Sequence, residues 1–157
     1  MSCPVTETQI IISDDGIKPF YQVSFSGPIL NSSNYKIYVV KYAGDYQYTG
    51  KTKQTIGDKF RQGFAAFLNA LEGKKVSGYG GYKWIEMYIN TNEILQLYVF
   101  DLGDSCTDNN AEAIEAEIVF KIRTKYNRWP ECQNEIHFFN DFENATDLAD
   151  EILNRTE

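Results

Sequence analysis

Residues 35–50 read YKIYVVKYAGDYQYTG. The run from Tyr35 to Tyr42 is rich in β-branched and aromatic side chains, which suit a pleated surface. Ala43-Gly44-Asp45 supplies turn chemistry, and Tyr46–Thr49 returns as a second strand, so the stretch predicts a β-hairpin. If Tyr42 and Tyr46 pair across a three-residue turn, Val40 faces Tyr48. Tyr38 then lies diagonal to Tyr48 on the same face. A two-residue turn at Gly44-Asp45 would put the two tyrosines on opposite faces, because strand side chains alternate. Taken alone, a tyrosine pair on a sheet reads as core packing.

Downstream, Ile56, Phe60, Phe64, Phe67, Leu68 and Leu71 recur at helical spacing and predict a helix over about 55–71, ended by Glu72-Gly73. Residues 77–82 read as a Gly/Tyr loop, and 84–89 fit either a strand or a short helix. Residues 93–101 (EILQLYVFD) predict a strand. A second helix is expected over 110–126, with Asn109 as its cap and Glu112 three residues on. Residues 1–33 read as an N-terminal arm with possible strands at 9–12 and 20–25. Residues 141–157 read as an acidic tail in which Leu148, Ile152 and Leu153 form a weak stripe. The fold class that follows is α+β. A small antiparallel sheet, three core strands plus N-terminal additions, is flanked by helices.

The chain has 157 residues, 43% apolar and 24% charged, which is one domain of ordinary globular composition. No apolar run approaches the roughly 20 residues of a membrane helix. Three cysteines (Cys3, Cys106, Cys132) without C-x-x-C spacing, behind a start that lacks a basic and apolar leader, predict reduced thiols in a cytoplasmic protein. A single histidine, His137, argues against a zinc site or a histidine-based nucleophile. Gly50-Lys51-Thr52 invites a phosphate-loop reading, but the glycine required five residues earlier falls on Asp45.

Charge is uneven. The net charge is −7, yet residues 34–84 carry nine Lys/Arg against three acids, a local +6. Such a block either binds a polyanion or is balanced by acids of the folded chain, and charge alone favours the second. In the second helix Glu115, Ile118, Val119 and Ile122 stand at i, i+3, i+4 and i+7. Glu115 thus joins the apolar stripe, while Glu117 and Lys121 can pair outside it. A half-buried carboxylate needs a cation, a metal or hydrogen-bond donors beside it.

Lys36-Ile37-Tyr38 followed by Tyr48-Thr49-Gly50 resembles the paired signature of the GIY-YIG nucleases. A helix bearing Arg61, a strand, a helix carrying Glu115, then Pro130 and Asn134 follow in the family's order over residues 35–137. Lys36 stands where the family has its first glycine, and Thr49 where it has isoleucine. The family's histidine four residues after the arginine falls on Gly63 or Ala65. Arg61 is favoured as the family's cation by the helix stripe, with Leu68 at i+7, whereas spacing from Tyr48 favours Lys59. Gln133 lies three residues after Pro130, next to Asn134.

The resemblance implies a GIY-YIG-like nuclease domain over 34–140 that cleaves phosphodiester bonds in DNA with one divalent metal, Mg²⁺ or Mn²⁺. Glu115 would hold the metal, Arg61 or Lys59 would clamp the phosphate, Tyr38 would take the water's proton and Tyr48 would position water or phosphate. Asn134 would complete the set. Lys51, Lys53, Lys74 and Lys75 would line the approach of the DNA backbone. With no recognisable DNA-reading module, a branched or non-specific target, or a protein partner for targeting, is expected. The alternative is a catalytically decayed nucleic-acid-binding or regulatory protein on the same fold.

Overall fold

A computed structural model of the chain describes residues 3–16, 19–22, 25–75, 81–132 and 144–157. Its elements are β1 (Val5–Ile10), β2 (Ile12–Asp14), β3 (Pro19–Tyr21), β4 (Lys36–Tyr42), β5 (Asp45–Thr52), α1 (Ile56–Leu71), α2 (Tyr82–Tyr88), β6 (Leu95–Asp101), α3 (Asp108–Tyr126) and α4 (Ala145–Thr156). The fold is mixed α+β. Strands β1, β6, β4 and β5 form, in that spatial order, one antiparallel sheet. β2 and β3 pair separately.

The hairpin forms, but around a different turn. Tyr42 pairs with Asp45, so the loop is only Ala43-Gly44, both at positive φ (49° and 86°). That is the backbone twist that two-residue hairpin loops require. Left uncorrected, this turn would flip every following side chain of β5. A bulge corrects it: Lys41 pairs with Tyr46 and Val40 with Tyr48, leaving Gln47 as the extra residue. Val40 therefore faces Tyr48 as expected, although the three-residue turn is absent. The extra residue is held by the rest of the fold. Gln47 is buried, and its Oε1 accepts from the Tyr88 hydroxyl at 2.5 Å.

Helices cover both faces of the sheet. On one face α1 and α2 pack over Tyr38, Val40, Tyr48, Leu97 and Val99. On the other α3 and α4 pack over Ile37, Val39 and Phe100. Burial on both sides accounts for the nearly unbroken apolar run of β4. Its two lysines are buried as well and find backbone carbonyls. Lys36 Nζ donates to the carbonyls of Ser32 (2.5 Å) and Asn34 (2.8 Å). Lys41 Nζ donates to the Thr156 carbonyl at the end of α4 and lies 4.5 Å from the Tyr46 ring centroid.

Several local expectations change. The undecided segment at 84–89 is helical, as α2. The cap of α3 is Thr107 rather than Asn109, with Thr107 Oγ1 accepting from the Asn110 N–H at 3.2 Å. Lys121 pairs with Asp150 of α4 at 2.8 Å and not with Glu117. From residue 144 the acidic segment is the helix α4. Its Leu148, Ile152 and Leu153 are buried in the second core. The N-terminal segment supplies β1 to the sheet edge beside β6. No described helix is long and apolar enough to cross a membrane.

Candidate functional site

Tyr38 and Gly50 are direct partners across β4 and β5. A Cβ built on Gly50 would lie 2.4 Å from the Tyr38 Oη and 2.5 Å from its Cζ. The phenol therefore lies flat over the backbone of β5, and only glycine leaves room for it. Tyr48 stacks beside it, with ring centroids 6.0 Å apart and planes 27° apart. Phe60 of α1 meets the Tyr38 ring edge-on at 5.4 Å. The first two tyrosines of the expected set thus sit together in the aromatic core. Tyr38 is fully buried and Tyr48 nearly so.

The ionic members gather at the outer edge of the sheet, where β5 is the last strand. The residue after Gly50 is Lys51, whose side chain turns to the α3 side. Its Nζ donates to Asp108 at 2.5 Å and lies 3.9 Å from Glu112. Asp108, Glu112 and Glu115 stand at i, i+4 and i+7 of α3 and form one row. Glu115 is buried, at 8% exposure. Burial pushes its carboxyl up to about 8, against the pull of Lys51, with Glu112 raising it further and Lys59 pulling it down. Lys59, half-buried on α1, is lowered by burial against the pull of Glu115. One carboxylate thus faces ammonium groups from two elements.

Arg61 is not part of this group. It is exposed and paired with Asp58 one turn back on α1. The stripe that favoured it included Leu68 and Leu71, which are 42% and 66% exposed. The buried stripe runs through Ile56, Phe60, Gly63 and Phe67, with Ala66 beside it. Lys59 lies one turn before Gly63, on the edge of that stripe.

The basic block is largely committed within the fold. Lys36 and Lys41 are buried. Lys51 is tied to Asp108, and Lys74 pairs with Glu72 at 2.8 Å. Lys53 is exposed, 5.6 Å from the Tyr35 ring centroid, and Lys75 is exposed on the turn after α1. Asn134 and Gln133 lie outside the described residues, as do His137 and most of the Gly/Tyr loop.

Among the described residues no group of three or more His, Cys, Asp or Glu side chains is placed to hold a metal ion. Glu115, as a carboxylate, is a hard anionic donor. Such a donor suits Mg²⁺, which binds through one or two carboxylates together with substrate phosphate and keeps several waters. Sequence reasoning found Glu115 from its helical face. It missed the part played by Lys51 in the α3 row, although the i, i+4, i+7 spacing of the three acids was legible. It also missed why position 50 must be glycine, which depends on the path of the Tyr38 ring. Comparison of the chain with protein-family models, curated proteins and solved structures gives no match.

Proposed function

We propose that the protein is a GIY-YIG-like phosphodiester hydrolase acting on DNA, with its site at the outer edge of β5. One observation carries this reading. A buried carboxylate, Glu115, faces Lys51 and Lys59 beside the strand over which Tyr38 is laid. Burying an acid among cations at a sheet edge costs stability, and such perturbed groups concentrate where chemistry is done.

In this reading Glu115 would hold the divalent ion, which supplies Lewis-acid stabilisation of the phosphate and a more acidic water. Lys59 takes the place assigned to the family's arginine and balances negative charge developing on the phosphate oxygens. An ammonium does this as a point charge, without the fork of a guanidinium. Tyr38 is the proton acceptor. Its phenol lies across Gly50 of β5. Tyr48, stacked on Tyr38, fixes the ring's orientation. Lys53 and Lys75, both exposed, meet the DNA backbone.

A second reading is favoured by the complete burial of Tyr38 and by the commitment of the basic block to internal partners. Under it the protein keeps the fold and binds a partner or nucleic acid without cutting.

The test is cleavage of supercoiled plasmid and branched DNA with Mg²⁺ or Mn²⁺. Glu115→Gln and Lys59→Met are each expected to lower the rate at least about 100-fold, the scale for losing a charge-stabilising group. Arg61→Ala is expected to leave it within about 3-fold, as suits an exposed surface pair. Salt-sensitive binding without metal-dependent cutting by the wild type would establish the second reading.

A further inference from the structure

The two outer strands of the sheet are finished differently. On β5 the chain returns as a partial cover, and the Glu131 and Cys132 N–H groups donate to the Tyr46 and Gln47 carbonyls at 2.9 and 2.8 Å. Among the described residues, none bonds through its backbone to the outer side of β1. The register identifies the groups left there. The Asp101 N–H donates to the Pro4 carbonyl at 3.0 Å, so Pro4, Thr6, Thr8 and Ile10 turn their backbone groups to β6. The N–H and C=O groups of Val5, Glu7 and Gln9 therefore point outward. β1 also lacks the usual guards of a sheet edge. Within Val5–Ile10 there is no proline, no lysine and no bulge, and Glu7 is the one charged residue.

We propose that β1 pairs antiparallel with β1 of a second copy about a two-fold axis at Thr8, joining two four-stranded sheets into one. Complementarity selects this occupant and this register. A two-fold pairing must match outward-facing residues with one another. An axis at Glu7 would set Glu7 against the partner's Glu7, and like charges directly opposite are destabilising. An axis at Thr6 would set Glu7 against the partner's Val5, which has no side-chain donor for a carboxylate. An axis at Thr8 sets each Glu7 against the partner's Gln9, whose amide donates to it. Both side chains are exposed, and Glu7, already hydrogen-bonded to Tyr98 of β6, keeps acceptor sites for a second donor. On the other face the half-buried Thr8 meets its own copy in a non-hydrogen-bonded pair, where side chains lie closest. The two β5 edges then stand roughly 33 Å apart, across seven strand spacings. This inference is independent of the chemistry assigned to Glu115.

The decisive measurement is sedimentation of the full chain over about 1–100 μM, where a specific pair of this kind assembles. The wild type is expected to pass from monomer to dimer. Gln9→Glu, which faces the partner's Glu7 at two places, should weaken the dimer at least about 10-fold. Adding Glu7→Lys to Gln9→Glu should restore it to within about 3-fold of the wild type, because each pair is then of opposite charge. Glu7→Pro removes one outward N–H and spares the bonds to β6, so it should stay monomeric with an unchanged circular dichroism spectrum. Should Glu7→Pro fail to fold, Gln9→Glu and its rescue decide the matter, since both side chains are exposed. Oxidation with diamide should link Thr8→Cys into a covalent dimer and leave Thr6→Cys and the wild type unlinked. A wild type that stays monomeric throughout, or a dimer indifferent to Gln9→Glu, overturns the proposal. Linkage through Thr6→Cys in place of Thr8→Cys overturns the register on which it rests.

Discussion

The two ends of the β4–β5 ribbon handle buried charge in opposite ways. At the turn end, Lys41 is buried and satisfied. It caps the last turn of α4 through the Thr156 carbonyl and lies over the Tyr46 ring, and the Tyr46 hydroxyl meets Thr156 Oγ1 at 2.8 Å. Even the bulged Gln47 is bonded, to Tyr88 and to the Asp45 carbonyl. At the other end, Lys51 bonds to Asp108 while Glu115 is buried near Lys51 and Lys59, and burial pushes its carboxyl up to about 8. The lesson is that buried charge alone does not mark a functional site. A satisfied cation at a helix C-terminus is architecture. A carboxylate whose charge is opposed by burial is a stored cost, and it asks for a purpose.

Glycine substitutions break the comparison most sharply. Gly50→Ala is expected to destabilise the fold by about 3 kcal/mol, because its Cβ would overlap Tyr38. In a chain of this size that lowers the melting temperature by roughly 6–12 °C. Gly44→Ala, with open space around its Cβ, should cost only about 1 kcal/mol for its left-handed backbone. Equal losses in calorimetry would mean that the phenol does not lie over β5.

The next effect is one of pH. A carboxyl raised by folding adds stability while it stays protonated, so this contribution is complete below its usual value near 4.5 and is lost as pH rises through about 8. In a chelator, Glu115→Gln should therefore match the wild type at pH 4. It should be more stable by a few kcal/mol at pH 9, in urea unfolding. Parallel pH profiles for the two proteins would show that Glu115 is solvated.

The smallest effect belongs to the turn end. Lys41→Met should cost about 1–2 kcal/mol, since it leaves the Thr156 carbonyl without its donor in a buried place. Its loss should show as faster amide exchange in the last turn of α4 while β6 keeps its protection. A neutral result would place the anchoring of α4 in its apolar stripe alone.

Much of the fold was legible. Strand composition marked β4 and β6, and the helical period marked α1 and α3, because both signals lie within a few residues of each other. Glu115 was legible for the same reason: its place among Ile118, Val119 and Ile122 is a property of one helix. Local signals misled where packing decides. Leu68 and Leu71 continue the helical period of α1, yet they stay exposed. The preference for Arg61 over Lys59 had rested on Leu68 and Leu71 being part of the buried stripe.

By itself the sequence determined the hairpin, the helices α1 and α3, strand β6, and the face of α3 on which Glu115 lies, since each follows from spacing along one segment. The tertiary structure decided the register of β5, which rests on a bulge stabilised from α2 through Tyr88 and Gln47. It also decided which cation faces Glu115. That depends on how α1 is rotated against the sheet, and the rotation is set by Phe60 packing on Tyr38. Contacts between distant segments fix such quantities, and no local pattern records them.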